Sequence, residues 1–204
     1  QPGAGPLLDM GPYYVTAMVS LFGPVASVVA DGARTRPERT IGSGPRAGQT
    51  VPVDVETHVT VLLRFASSVQ ATLLTTFDVA ASDLPRFEVF GEQGTLALAD
   101  PNTFAGPVRR RGEGETSWRE VATVPGFAGN ARGIGALDLA RAAAAGWPAR
   151  ASGELAAHVL DVLEGALTAL RSGHRIEVTS RPPRPAPLDA GDLEALGWTQ
   201  EVAA

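Results

Sequence analysis

The stretch Val51-Pro52-Val53-Asp54-Val55-Glu56-Thr57-His58-Val59-Thr60-Val61-Leu62-Leu63-Arg64-Phe65 carries the strongest periodicity in the chain. Its odd positions are Val51, Val53, Val55, Thr57, Val59, Val61, Leu63 and Phe65, while the even ones include Asp54, Glu56, His58, Thr60 and Arg64. Period-two alternation puts every second side chain on one face, so 51–65 is expected to be a strand with one buried face. Ala66-Ser67-Ser68 supplies a turn, and Val69, Ala71, Leu73, Thr75, Phe77 and Val79 repeat the alternation on the way back. The pair reads as a long antiparallel hairpin. Its even face carries Thr60, Leu62, Thr72, Leu74 and Thr76, a mixed surface that is either solvated or meets another subunit.

Outward from this hairpin the pattern alternates between helix and strand. Pro12 to Phe22 is apolar and small throughout and stops at Gly23-Pro24, which predicts a buried helix. Val25 to Ala30 is a short strand candidate, and residues 31–50 read as an exposed loop, extended at an edge. Strands over Arg86–Phe90 and Thr95–Ala99 flank the turn Gly91-Glu92-Gln93-Gly94. Val108–Arg111 and Trp118–Val124 form a further pair, giving a sheet of about six mostly antiparallel strands. Helices return at Ile134–Ala145, closed by Gly146, and from Ser152 as N-cap to Arg171. The second has an apolar stripe of Leu155, Val159, Val162, Ala166 and Leu170. Arg175–Thr179 is a last strand, Arg181–Pro187 is proline-rich and extended, and Trp198 is a candidate anchor in the tail. Together these elements predict an α+β fold: two layers, an open-faced, mostly antiparallel sheet with helices on one face.

Composition narrows the chemistry. The chain has 204 residues and a net charge of -5, which argues against nucleic acid as a partner. It has no cysteine, so thiolate nucleophiles, disulfides and Cys-ligated metals are excluded, and a cytoplasmic location is expected. All 17 basic residues are arginine, so this chain supplies no Schiff-base or general-acid lysine. No apolar run reaches the roughly 18 residues of a membrane span, and no membrane partner is expected.

Four segments resemble one known family. They are Gly3-Ala4-Gly5-Pro6-Leu7-Leu8-Asp9-Met10-Gly11-Pro12-Tyr13-Tyr14; Phe87-Glu88-Val89-Phe90-Gly91-Glu92-Gln93-Gly94-Thr95-Leu96 with Asp100-Pro101-Asn102; Arg132-Gly133-Ile134-Gly135; and Arg150-Ala151-Ser152-Gly153-Glu154-Leu155-Ala156-Ala157-His158-Val159-Leu160. In this order they resemble the C-terminal domain of the Gfo/Idh/MocA oxidoreductases, the glucose–fructose oxidoreductase and inositol dehydrogenase group. The resemblance implies a two-domain enzyme: a Rossmann domain binds NAD or NADP, and the C-terminal domain supplies the substrate site and the oligomer interface. It implies that residues 1–188 are that C-terminal domain, that 189–204 are a tail, and that the Rossmann part and its Glu-Lys-Pro lysine lie outside this chain. The chain alone is then expected to be inactive, and the full protein to be a homo-oligomer acting on a sugar or polyol hydroxyl.

In that family a histidine four residues after the aspartate handles the hydroxyl proton; here the position is Tyr13, with Asp9 one turn before it. A phenol is a weak acid for work at neutral pH and needs a nearby cation. Two readings stand side by side. In one, Tyr13 is the acid/base and Asp9 orients it or the substrate; in the other, Asp9 caps the helix and Tyr13 is packing. Asn130 and Arg132 enter a helix and are candidates to bind a substrate hydroxyl or carboxylate, with a plain surface arginine as the alternative. His158 lies between Glu154 and Asp161 on a helix and reads as part of a satisfied polar face, not a metal site. His58 and His174 have no partner visible in the sequence. Arg109-Arg110-Arg111 is too short a basic run for a nucleic-acid site. Two other functions remain open: a non-catalytic ligand-binding module of the same fold, and an unrelated sheet domain that dimerises through its open face.

Overall fold

Pro52 divides the long alternating stretch into two strands. In the computed structural model, which describes residues 1–104, 106–123 and 132–195, the chain runs α1 Pro6–Phe22, β1 Val25–Ala33, β2 Glu38–Thr40, β3 Thr50–Pro52, β4 His58–Phe65 and β5 Gln70–Thr76. It continues β6 Glu88–Gly91, β7 Gly94–Ala97, β8 Arg109–Gly112, β9 Arg119–Glu120, α2 Ile134–Ala145, α3 Gly153–Ser172, β10 Ile176–Glu177 and α4 Ala190–Ala195. A proline cannot donate to a ladder, so the strand that contains Pro52 ends there and pairs only with short β2, as a separate ribbon. The expected single strand over 51–65 is therefore corrected to β3 and β4. The alternation it was read from persists in burial, with Val53, Thr57, Val59, Val61, Leu63 and Phe65 all buried.

The expected six-stranded sheet is also corrected. The described strands form a four-stranded sheet ordered β10-β1-β4-β5, the β2-β3 ribbon, and a four-stranded sheet ordered β6-β7-β8-β9, all antiparallel. The chain divides into two compact units, one from Gln1–Ala81 with Gly153–Arg184, the other from Ser82–Ser152 with Pro185–Ala204. Trp198 and Asn130 lie outside the described residues.

In the first unit the hairpin β4–β5 is as expected, in register from His58↔Thr76 to Arg64↔Gln70, with Ser68 at φ 70 in its turn. Central β1 is longer than its sequence pattern suggested. Helices α1 and α3 lie on the face that carries Val28, Val59, Val61, Leu63 and Leu73, all buried. Phe65 packs edge-on against Phe22 with centroids 5.5 Å apart; burying a side chain of that size stabilises by about 2–3 kcal/mol. The α3 stripe is buried as expected except at Leu170, which is half-buried, and Gly165 brings α3 down onto Val28 of β1. Gly11 lets α1 and α3 cross closely: a Cβ there would lie 2.7 Å from Leu163 Cδ2. The opposite face of the sheet stays open, and Leu62 and Leu74 on it are 54% and 42% exposed.

In the second unit the hairpin β6–β7 turns through Gly91↔Gly94, and β8 and β9 extend it. Trp118 is covered by the guanidinium groups of Arg109 and Arg111, 5.9 and 5.0 Å from its ring centre. Helix α2 has the expected bounds, closed by Gly146 in the left-handed conformation.

Candidate functional site

Helix α1 begins six residues earlier than its apolar run alone suggested. Pro6 opens it at N1, where its missing N–H is no loss. Gly5 sits before it at φ 102, against the Val55 side chain and the Glu56 carbonyl, and its own carbonyl accepts from the Asp9 N–H at 3.0 Å. Asp9 is therefore in the first turn and caps nothing; the helix has no side-chain cap. That corrects the capping reading. A carboxylate there faces the positive end of the helix dipole.

Pro12 removes one helical hydrogen bond without breaking the helix, which runs on to Phe22. Asp9 and Tyr13 are thus one turn apart on a continuous helix, their Cβ atoms about 5–6 Å apart by helix geometry. Both are exposed, Tyr13 to 41%. A carboxylate and a phenol side by side on a solvent-facing turn can hold and pass a proton to a bound hydroxyl. Tyr14 points elsewhere and is half-buried.

Sequence reasoning missed a polar cluster at the end of the sheet where α1 begins. Thr57 Oγ1 donates to Asp78, Arg39 pairs with Asp78, and Arg39 also donates to the Phe77 carbonyl at 2.9 Å. The Asp78 N–H donates to Thr76 Oγ1 at 3.0 Å, and that oxygen lies 3.1 Å from His58 Nδ1. The Thr57 hydroxyl first, then Thr35 and the Arg39 guanidinium, hold the Asp78 carboxyl below the usual carboxylate range. Its function is to pin the β2–β3 ribbon to the end of β5. These contacts join residues about 20 to 40 positions apart, so local spacing gave no signal for them.

His158 is likewise placed differently from its reading. It is fully buried on the inner face of α3, away from any polar face. Among the described residues no group of three or more His, Cys, Asp or Glu is arranged to hold a metal ion. No helix among the described residues is long and apolar enough to cross a membrane.

With this geometry in hand, residues 1–97 match the protein family described as the GFO/IDH/MocA C-terminal domain. That match agrees with the Gfo/Idh/MocA resemblance read from the sequence. Among solved structures it is similar to levoglucosan dehydrogenase in its apo form, with 20% identity and a TM-score of 0.70 over 88% of this chain and 52% of that one. The same enzyme in complex with NADH and L-sorbose gives 21% identity and a TM-score of 0.66 over 87% and 52%. Aldose-aldose oxidoreductase from Caulobacter crescentus complexed with glycerol gives 22% and 0.64 over 86% and 48%. At these identities the likeness establishes the fold, and the chain spans about half the length of these structures. No curated protein sequence matches.

The Gfo/Idh/MocA match contains Asp9 and Tyr13 but ends before Arg132. Arg132 is exposed and precedes Gly133, the left-handed cap of α2. Further along α2, Asp138 is buried and held by Arg150. A dinucleotide needs a parallel β-α-β unit with a glycine-rich turn. Every described strand pair is antiparallel, so the described residues do not form such a cradle.

Proposed function

We propose that this chain is the substrate-binding and oligomerisation domain of an NAD(P)-dependent oxidoreductase acting on a sugar or polyol hydroxyl. The observation that carries the reading is the pairing of Asp9 and Tyr13 on one exposed face of α1, inside the segment that matches the family. The fold it shares with enzymes solved with NADH and L-sorbose, or with glycerol, supports the same reading.

Because the described residues lack a dinucleotide cradle, the reading assigns the nicotinamide to a further domain of the full cytoplasmic protein, and this chain by itself is inactive. When bound there, the nicotinamide supplies the hydride chemistry. The residues of this chain do the rest. Tyr13 takes or returns the hydroxyl proton, and the Asp9 carboxylate orients the phenol or the substrate. By the resemblance, Asn130 and Arg132 are proposed substrate-binding residues for a hydroxyl or carboxylate; a guanidinium fork suits that task. The open sheet face, with Leu62 and Leu74, joins the domain to a second copy.

The test is Tyr13→Phe in the full-length protein with a working polyol substrate. We expect kcat to fall by about 10²-fold or more, the ordinary worth of a positioned acid/base. Unchanged turnover removes Tyr13 from that role. A tyrosine in the place where the resemblance expects histidine favours a second reading, a non-catalytic ligand-binding module of the same fold. Polyol binding by the full protein without any nicotinamide-linked turnover would establish it.

A further inference from the structure

The first residue of β1 is held by side chains where the sheet runs out of strand. β10 pairs with β1 only at Ser27↔Glu177 and Val28↔Ile176, with one more backbone bond from the Val178 N–H to the Ala26 carbonyl at 2.9 Å. Beyond it, two side chains replace the missing strand. The Val25 N–H donates to His158 Nε2 at 3.0 Å, and the Val25 carbonyl accepts from Arg181 Nη1 at 3.3 Å. The register of β1 against β4 shifts between Val25 and Ser27, which sets Val25 apart from the regular ladder.

This geometry fixes the state of the imidazole. Nε2 accepts, so it carries no hydrogen. The proton of the neutral ring is then on Nδ1, which donates to Ser180 Oγ at 2.7 Å. One ring therefore ties α3 to both β1 and the segment after β10. Arg181 ties the same segment down through the carbonyls of Val178 and Ser180.

Protonation would break this arrangement. A second ring N–H would face the Val25 N–H, donor against donor, and a charge would sit in a fully buried position. The charged groups around the ring pull both ways. From the segment after β10, Arg181 is the nearby cation. Just before β10, Arg175 donates to Ser27 Oγ at 2.9 Å, and β10 itself carries exposed Glu177. From α3 itself come exposed Asp161 and, one turn before, exposed Glu154; β1 brings no charge at this end. Burial first and Arg181 second hold the imidazole below its ordinary value, with Asp161 opposing.

We propose that His158 is a pH-sensitive latch that closes residues 178–184 onto β1 when neutral and releases them on acidification. Arg184 is the last residue of the first compact unit, so the latch controls the place where the chain leaves it. The sign follows from the depressed value: the latch is fully closed above the ordinary imidazole value of about 6.5 and weakens as pH falls below it.

The experiment is amide exchange of Val25 and Val178, read by NMR on this chain at pH 7.5 and 5.5 and corrected for the intrinsic pH dependence of exchange. The opening of both amides should rise by about tenfold, one pH unit below the ordinary imidazole value. In His158→Gln, whose amide can accept from Val25 and donate to Ser180 without titrating, the rise should vanish. Equal protection at both pH values in the wild type, or the same rise in the Gln variant, would overturn the proposal. Should that variant fail to fold, the His158 ring carbon shift of the wild type decides: a midpoint well below 6.5 supports the latch, and one at or above 6.5 defeats it.

Discussion

The guanidinium of Arg150 donates to Asp138 at 2.8 Å while the Arg150 N–H donates to the other oxygen of the same carboxylate at 3.1 Å. The same side chain reaches the Ala186 carbonyl at 3.0 Å and pairs with Asp192 of α4. One arginine therefore joins α2, the extended segment after it and α4 within the second unit. Removing it leaves buried Asp138 with an unpaired charge. Arg150→Met should destabilise this unit by about 2–3 kcal/mol, the range for hydrogen bonds to charged groups. Trp118, Trp147 and Trp198 all fall within its sequence ranges, so denaturation followed by tryptophan fluorescence reads the loss.

In the first unit the vulnerable point is the crossing of α1 over α3. A methyl group at Gly11 would press on Leu163 Cδ2 at 2.7 Å, and Leu163 is itself buried. Gly11→Ala should cost about 1–3 kcal/mol by overpacking, despite alanine's better helix propensity. Combining it with Leu163→Ala should give less than the sum of the two losses, since the cavity admits the methyl. Urea denaturation of the four proteins in this cycle measures the coupling.

The elements of the fold differ in how far the sequence announced them. The hairpin β4–β5 and helices α2 and α3 were legible because each rests on local periodicity with glycine or serine punctuation. The Gfo/Idh/MocA resemblance was legible because its motifs are contiguous segments, one of which contains Asp9 and Tyr13. The start of α1 was not, because Gly3 to Gly11 looks like a turn until Gly5 is seen packed on Val55. The split at Pro52 was underweighted: alternation in burial survived while the hydrogen-bonded ladder did not. His158 was misread because a histidine between Glu154 and Asp161 looks solvent-facing, whereas its ring answers a backbone N–H 133 residues away.

Thr57 and Asp78 make the pH response of the ribbon readable. The Thr57 hydroxyl, Thr35 and Arg39 lower the Asp78 carboxyl below its ordinary value. A depressed acid contributes stability above its unfolded value, and that contribution is lost as pH falls through the folded one. Thr57→Val removes the hydrogen bond that lowers it most, so the Asp78 carboxyl should titrate at higher pH. Carbon-detected NMR titration of Asp78 should show the upward move. An unchanged midpoint would mean that Thr35 and Arg39 set it without Thr57.

Leu62 and Leu74 bear on assembly. Cross-strand register sets Leu62 opposite Thr72 and Leu74 opposite Thr60, so both leucines stand on the open face, over half and two-fifths exposed. The face is neither a bare apolar patch nor a charged solvent surface; it has the mixed character of an association surface. If two copies meet there, Leu74→Glu places two carboxylates in a desolvated contact and should shift the protein to monomer. The monomer itself should keep its stability within about 0.5 kcal/mol, because the position is exposed in the single chain. Light scattering gives the mass and denaturation gives the stability. A mass unchanged by Leu74→Glu would place the oligomer contact elsewhere, and a large loss of stability in a protein already monomeric would mean that the leucine belongs to the fold.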